Sequence, residues 1–253
     1  CTGFKIGTAS HGVVRNVRFE NCTSDVALRS VQYPLHLPDG TPFYYHLSNA
    51  FTPRYPNGFN LSAVAIECVD GGCVEDVTVD GLEIVDGARA PIFVRADLRK
   101  SRGEDGIDTP PNKLNVMRNI TIANVRGKSM GPVASSITGV KGFRIENVTL
   151  RNIDLVQPGA GEERSRRAMV TPVPYLEGLY PSADIFYPHL FPAYGLYVDR
   201  AEVKMENVNF RLEEGTVDLR PAIVVSGTPS TVSSRMRPGE CQARPENNTT
   251  PSR

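Results

Sequence analysis

Apolar and polar residues alternate in short runs along this chain, and one run returns in recognisable copies. The clearest is Glu146-Asn147-Val148-Thr149-Leu150-Arg151-Asn152-Ile153-Asp154-Leu155. Val148 and Leu150 alternate with polar neighbours, the period of a strand with one buried face. Asn152 interrupts that period, and Ile153 and Leu155 resume it. Asn tolerates the left-handed backbone region, so it can bend a strand sharply without a loop.

Earlier copies are Arg15-Asn16-Val17-Arg18-Phe19-Glu20-Asn21-Cys22, Glu75-Asp76-Val77-Thr78-Val79-Asp80-Gly81-Leu82 and Arg118-Asn119-Ile120-Thr121-Ile122-Ala123-Asn124-Val125. A last copy reads Glu206-Asn207-Val208-Asn209-Phe210-Arg211-Leu212, with Leu212 at the bend position, as if the pattern were ending. Gly and Asn share little chemistry beyond accepting positive φ. Their interchange at the other bend positions predicts left-handed backbone at Asn21, Gly81, Asn124 and Asn152. The alternation predicts that Val17, Phe19, Val77, Val79, Ile120, Ile122, Val148, Leu150, Val208 and Phe210 face one common interior.

A second short strand precedes the phrase. Ile6, Ile66 and Ile137 each stand ten residues before the opening Asn or Asp of their copy, and Val198 stands nine before. Repeated strand–turn–strand units at variable spacing, with no helical period between them, predict an all-β solenoid, a parallel β-helix. A β-sandwich is the competing fold, but it does not require Asn or Gly at one fixed offset.

Composition narrows the partners. The 253 residues suffice for one large all-β domain, and formal net charge is zero, so no basic excess points to nucleic acid. No apolar run reaches membrane length. The chain opens at Cys1 almost directly on a strand, which reads as a fragment whose upstream coils precede Cys1. Cys68 and Cys73 bracket Val69-Asp70-Gly71-Gly72 and could close a small disulfide loop or sit reduced in the core. No Cys/His spacing suggests a metal site, and no cofactor is expected.

The expected solenoid covers 1–226, with insertions at 33–60 and 157–192 and a disordered tail at 227–253. The first insertion is rich in Tyr, Phe and Pro, including Tyr33, Phe43, Tyr44, Tyr45, Phe51 and Tyr55. Such a loop can stack on sugar rings or pack on the solenoid side. Residues 97–114 are a charged loop. Sequons at Asn21, Asn119 and Asn147 fall on the repeat itself and read as incidental to it.

Several stretches together carry a family resemblance. They are Gly3-Phe4-Lys5-Ile6-Gly7-Thr8 with Val14-Arg15-Asn16-Val17-Arg18-Phe19-Glu20-Asn21-Cys22, then Ala65-Ile66-Glu67-Cys68-Val69-Asp70-Gly71-Gly72. Pro91-Ile92-Phe93-Val94-Arg95 and Pro192-Ala193-Tyr194-Gly195-Leu196-Tyr197-Val198 follow in the same order. Over roughly 1–225 the chain resembles the pectin-degrading glycoside hydrolases of family 28. The resemblance implies a right-handed single-stranded parallel β-helix of the pectin lyase type. It also implies inverting hydrolysis of polygalacturonan or rhamnogalacturonan, an extracellular or periplasmic location, and a monomer whose partner is a polysaccharide.

Inverting hydrolysis needs one carboxyl acid and one carboxylate base with a water between them. The resemblance places both before Cys1, so no catalytic residue is expected within this chain, and hydrolysis is expected only of a longer parent. Asp105, Asp108 and Asp184 read as surface residues. The family's Gly-His-Gly aligns with Thr2-Gly3-Phe4-Lys5, without the His. Its substrate-binding Arg-Ile-Lys aligns with Ala65-Ile66-Glu67, so both cations are missing. Lys5 and Glu67 are the first candidates for substrate contact, with Arg29 and Arg95 behind them. His11, His36, His46 and His189 have no nucleophile or paired acid nearby in sequence, so Ser/His and Cys/His mechanisms have no support. The alternatives are a non-catalytic β-helix that binds carbohydrate or mediates adhesion, and a lyase, which would need a cation or an Arg base beside the cleft.

Overall fold

The computed structural model describes residues 3–7, 12–25, 35–36, 42–43, 60–97, 101–102, 108–109, 116–129, 131–140, 144–168, 190–226 and 231–235. The strands are β1 (Phe4–Ile6), β2 (Val13–Asp25), β3 (Leu35–His36), β4 (Pro42–Phe43), β5 (Asn60–Cys68), β6 (Cys73–Ala96), β7 (Ser101–Arg102) and β8 (Asp108–Thr109). After them come β9 (Val116–Ser129), β10 (Ser135–Thr138), β11 (Ile145–Gln157), helix α1 (Glu162–Arg166), β12 (Leu196–Asp199), β13 (Ala201–Leu212), β14 (Ile223–Ser226) and β15 (Thr231–Arg235).

These strands build a parallel β-helix. One wall is the parallel series β2, β6, β9, β11, β13, β15. The second is the series β1, β5, β6, β10, β12, β14, also parallel. β6 is long enough to serve both walls: Cys73–Ile84 pairs with β2 and β9, and Ala88–Ala96 with β5. Each coil therefore gives a short strand to the second wall and then a long strand to the first.

The interior is made of stacked equivalents. Ile6, Ile66, Val94, Ile137, Val198 and Val225 stand in register on consecutive coils of the second wall. Val17, Val77, Ile120 and Val148 do the same on the first. All belong to one core cluster, with Val17 and Val225 at its margin. Of the ten residues expected to face inward, six are fully buried, Phe210 nearly so, and Val17, Phe19 and Val208 pack against the same cluster. Full burial of each such aliphatic side chain contributes about 1.5–3 kcal/mol.

The bends lie where the Asn/Gly interchange puts them. Asn21, Gly81, Asn124 and Asn152 have φ of 52°, 75°, 54° and 53°. The opening residue of the phrase is also left-handed, at Asn16 (57°), Asp76 (56°), Asn119 (57°) and Asn147 (50°), so each of these coils has two corners. The side chains at the corners form ladders between coils. Asn147 Nδ2 donates to Asn119 Oδ1, and Asn119 Nδ2 donates to Asp76 Oδ1, each at 2.9 Å. On the second corner Asn207 Nδ2 donates to Asn152 Oδ1 at 3.0 Å, and Asn152 Nδ2 to Asn124 Oδ1 at 2.9 Å. Gly81 cannot take part, and Asn124 reaches Asp80 Oδ1 instead, at 2.6 Å.

The last copy is out of phase with its reading from sequence. Val148 pairs with Val203 and Ile153 with Val208, so Asn207 occupies the second corner, not the opening one. Leu212 is therefore no bend residue; it pairs with Gln157. A register shift between Ile145 and Val148 removes the first corner from β13, and the left-handed turn falls at Arg200 (φ 49°), just before the strand.

Three further points adjust the sequence outline. The solenoid does not stop at 226, because β15, within the stretch read as a tail, pairs with β13. The insertion at 157–192 contains α1, and that at 33–60 contains the antiparallel pair β3–β4. Cys22, Cys68 and Cys73 keep their thiols, so no disulfide closes the Cys68–Cys73 loop. Among the described residues no helix is long and apolar enough to cross a membrane.

One charged stack alternates in sign. Arg15, Glu75, Arg118 and Glu146 stand in register on four coils of the first wall. The buried Glu75 carboxylate accepts from Arg118 Nε at 2.8 Å and from Arg15 Nε. The hydrogen bonds from Arg118 and then Arg15 hold its carboxyl below the usual Glu range, against the smaller opposing effect of burial.

Two predictions follow from corner and ladder. A Cβ at Gly81 would stand 2.8 Å from Asn21 Oδ1, a side-chain tip that can turn aside. Gly81→Val should lower stability by about 1–2 kcal/mol through the positive φ. Gly81→Asn should stay within about 0.5 kcal/mol of the parent, since Asn holds this corner on neighbouring coils; urea unfolding of the two variants gives the comparison. For Glu75 the folded pKa lies below the unfolded value of about 4.3, so its stabilisation is present above that pH and lost as pH falls through the folded value. Glu75→Gln should therefore lower Tm at pH 7, and the gap from the parent should close in acid. Equal Tm at neutral pH would show that the Arg–Glu–Arg stack contributes nothing net.

Candidate functional site

Strand alternation gives the second wall an outer face, and the candidate residues fall on it. Ile66, Val94, Ile137 and Val198 point inward, so their neighbours point outward. One outer row runs Lys5, Ala65, Phe93, Ser136, Tyr197, Val224. The next runs Glu67, Arg95, Thr138, Asp199, Ser226. Three of the four candidates, Lys5, Glu67 and Arg95, are thus brought together from positions far apart in the chain. Arg29 lies outside the described residues.

Lys5 and Glu67 form an ion pair, Nζ to Oε2 at 3.2 Å, with side-chain exposures of 25% and 2%. Lys5 is the member that reaches solvent. Gly7 explains how β1 ends so close above Glu67. Its φ is +97°, and a Cβ there would meet the Glu67 carbonyl oxygen at 2.7 Å and its Cβ at 2.9 Å. The Ile-Gly pair thus has a steric cause on the page: only Gly admits this approach.

Arg95 stands beside Glu67 on the next coil and is nearly fully buried. Its Nε and Nη2 both donate to Asp97 Oδ2, at 3.0 and 2.7 Å, and Asp97 is buried completely. This geometry commits Arg95 to holding the wall, not to reaching outward for a ligand.

Further along the row, Thr138 pairs laterally with Asp199. Asp199 Oδ2 accepts from Arg200 Nη1 at 2.5 Å, while Asp199 Oδ1, Thr138 Oγ1 and Ser136 Oγ are buried with no hydrogen-bond partner. Burial pushes the Asp199 carboxyl up from the ordinary Asp range, opposed by the charges of Arg200 and, more weakly, Arg95. The folded chain therefore favours a protonated Asp199 more than solvent does. Tyr197 and Phe191 stack beside it at a centroid distance of 5.1 Å, and Phe93 packs with Ala65 and Ala90.

Sequence reading missed Asp97, Ser136, Thr138 and Asp199. The signal was there: Thr138 and Asp199 each follow an inward Ile or Val, as Glu67 follows Ile66. Aligning the short strands with one another, in place of the long phrases, would have exposed the row.

The row is poorly arranged for acid–base work. Glu67 and Asp199 are three coils apart, about 14 Å at a strand spacing of about 4.8 Å. Inverting carboxyls stand about 6.5–9.5 Å apart. Glu67, Asp97 and Asp199 are each held by a cation. Among the described residues no group of three His, Cys, Asp or Glu side chains could hold a metal ion. Comparison of the chain with protein-family profiles, with curated proteins and with solved structures gives no match.

Removing one partner of a buried pair strands the other charge. Arg95→Met should cost about 3–5 kcal/mol in urea unfolding, and Arg95→Met with Asp97→Asn should cost clearly less. A double variant as unstable as the single one would mean that Asp97 is not the group Arg95 compensates.

Proposed function

We propose that this β-helix is the substrate-holding part of a glycoside hydrolase of the family 28 type, acting on pectic polysaccharide by inverting hydrolysis. One observation carries the reading. The strands Phe4–Ile6, Ala65–Glu67, Phe93–Arg95 and Leu196–Val198, on which the family resemblance rests, stand coil upon coil on one wall. Motifs scattered along the chain thereby become neighbours on a single outer face. Lys5 reaches solvent at one end of that face, with a quarter of its side chain exposed, whereas Glu67, Phe93, Arg95, Ser136 and Tyr197 along it are buried.

On this reading Lys5 is the ligand-contacting side chain and Glu67 a positioning residue that holds its ammonium. Extracellular or periplasmic action belongs to the same proposal, because the polymer is met there. The spacing of Glu67 and Asp199, and the cations that hold them, support a binding role for the row and not the roles of acid and base. The same facts favour the second reading, a carbohydrate-binding or adhesive β-helix without catalysis of its own.

The purified 1–253 chain should bind pectic polysaccharide in affinity electrophoresis and release no reducing sugar from pectin, homogalacturonan or rhamnogalacturonan. Turnover would place a working acid and base among its own residues and overturn the binding role. Failure to bind any pectic polymer would remove the proposal.

A further inference from the structure

We infer that the outer face of the second wall is closed along its middle coils by a cover made of the chain's own segments, and that the Asp218–Arg220 ion pair is the latch of that cover. The cover is defined by what packs on the outer row. Phe191 stacks on Tyr197 at a centroid distance of 5.1 Å, and Ala134 and Val133 belong to the same apolar cluster. Val133 also packs against the cluster of Ala65, Ala90 and Phe93. These covering residues come from the stretches just before β10 and β12, and Phe93, Ser136 and Tyr197 in the row are buried.

The latch is defined by hydrogen bonds. Ser135, Leu196 and Ile223 stand in register on three successive coils. Pro132, Ala193 and Arg220 precede them by three residues each. From the last of these coils Arg220 reaches back to the other two. Its Nη1 donates to the Phe191 and Ala193 carbonyl oxygens at 3.1 and 2.8 Å, and its Nη2 to the Pro132 carbonyl oxygen at 2.9 Å. Nε and Nη2 donate to Asp218 Oδ1 and Oδ2 at 2.9 and 2.6 Å. Every guanidinium N–H is thereby used. Asp218 is equally committed, for it also accepts from the backbone N–H of Arg220 at 3.0 Å and of Ala160 at 2.9 Å. The stretch around α1 is tied in twice more: Gly161 N–H donates to the Val217 carbonyl oxygen at 2.9 Å, and Leu219 N–H to Ser165 Oγ at 3.2 Å. The two charged side chains are 2% and 0% exposed.

Four stretches therefore meet at one buried ion pair: 131–134, 158–168, 190–194 and 216–222. Residues 131–134 and 190–194 lie outside the strands, whereas the coils beneath them are held by parallel ladders. Losing either member of the pair strands the other charge and leaves buried carbonyls without donors. Such a junction is made or broken as a whole. Segments with few ladder bonds open in cooperative units, and a shared ion pair makes these stretches one unit. Its release bares the row from Phe93 to Tyr197 while the β-helix stays folded. No polysaccharide enters this inference, so it stands or falls apart from the pectic reading.

The test is native-state hydrogen exchange of the 1–253 chain at low urea concentrations, read by mass spectrometry. In the parent, peptides from 131–134, 158–168 and 190–194 should share one opening, with protection within about 3-fold of one another and the same urea dependence. They should exchange at least about 10-fold faster than β9, β11 and β13. Arg220→Met combined with Asp218→Asn removes the latch without stranding a charge. That variant should speed exchange in the three stretches together by at least about 10-fold and leave the three strands within about 2-fold of the parent. Hydroxyl-radical oxidation of Phe93 and Tyr197 should rise several-fold in it. Unequal openings among the three stretches of the parent overturn the inference, whether or not the variant folds. A folded variant overturns it if the stretches change singly, if the strands speed up by the same factor, or if Tyr197 stays shielded. A variant that does not fold overturns it as well, because the pair would then hold the β-helix itself and not a cover upon it.

Discussion

Parallel stacking in register forces every side chain to live beside its own equivalent. Successive strands of a wall are about 4.8 Å apart, so residues at one position form a column. A column must be compatible with itself. Aliphatic columns meet the condition by excluding water together, as Ile6, Ile66, Val94, Ile137 and Val198 do. Asn columns meet it because one amide donates while the next accepts, as from Asn207 through Asn152 to Asn124. Charge columns are most compatible when the sign alternates, as in Arg15, Glu75, Arg118 and Glu146. The corner residues are chosen twice over, once for positive φ and once for a side chain that ladders.

The same condition shapes the outer rows of the second wall. Lys5 over Glu67 and Glu67 beside Arg95 continue the alternation of sign. Their compensation follows from column chemistry before any ligand is considered. Where a like charge does repeat, as Glu20 over Asp80, a cation stands close to both, here Arg18.

How much of this was legible depends on whether a feature repeats. The long strands, their inward residues and the left-handed corners at Asn21, Gly81, Asn124 and Asn152 could be read because the phrase recurs with few substitutions. The phase of the last coil could not, since one residue fewer between Ala201 and Val203 carries no mark in the sequence. β15 escaped for a related reason: Thr231 to Arg235 resembles no other copy and is held by pairing with β13, not by its own pattern. Lys5, Glu67 and Arg95 were found through resemblance, but their pairing partners were not. Which charge compensates which is decided by lateral register and by the local path of the chain, as at Arg95 and Asp97.

Asp199 is one place where the column rule is not obeyed. Its neighbours in the row are Thr138 on one side and Ser226 on the other, neither of which carries compensating charge. Arg200 engages one carboxylate oxygen and leaves the other buried without a donor. Burying such a group costs about 1–3 kcal/mol, more when it is charged. A sequence that stacks compatible groups elsewhere would readily have placed a hydroxyl or an aliphatic here. Departures from local consistency of this kind concentrate at sites that do something other than stabilise the fold. The orphaned oxygen lies on the same face as the aligned motif strands, two residues beyond Tyr197. Gln157, which pairs with Leu212 on the first wall, has its amide nitrogen and oxygen in the same condition, so unmatched buried polar groups are spread over both walls.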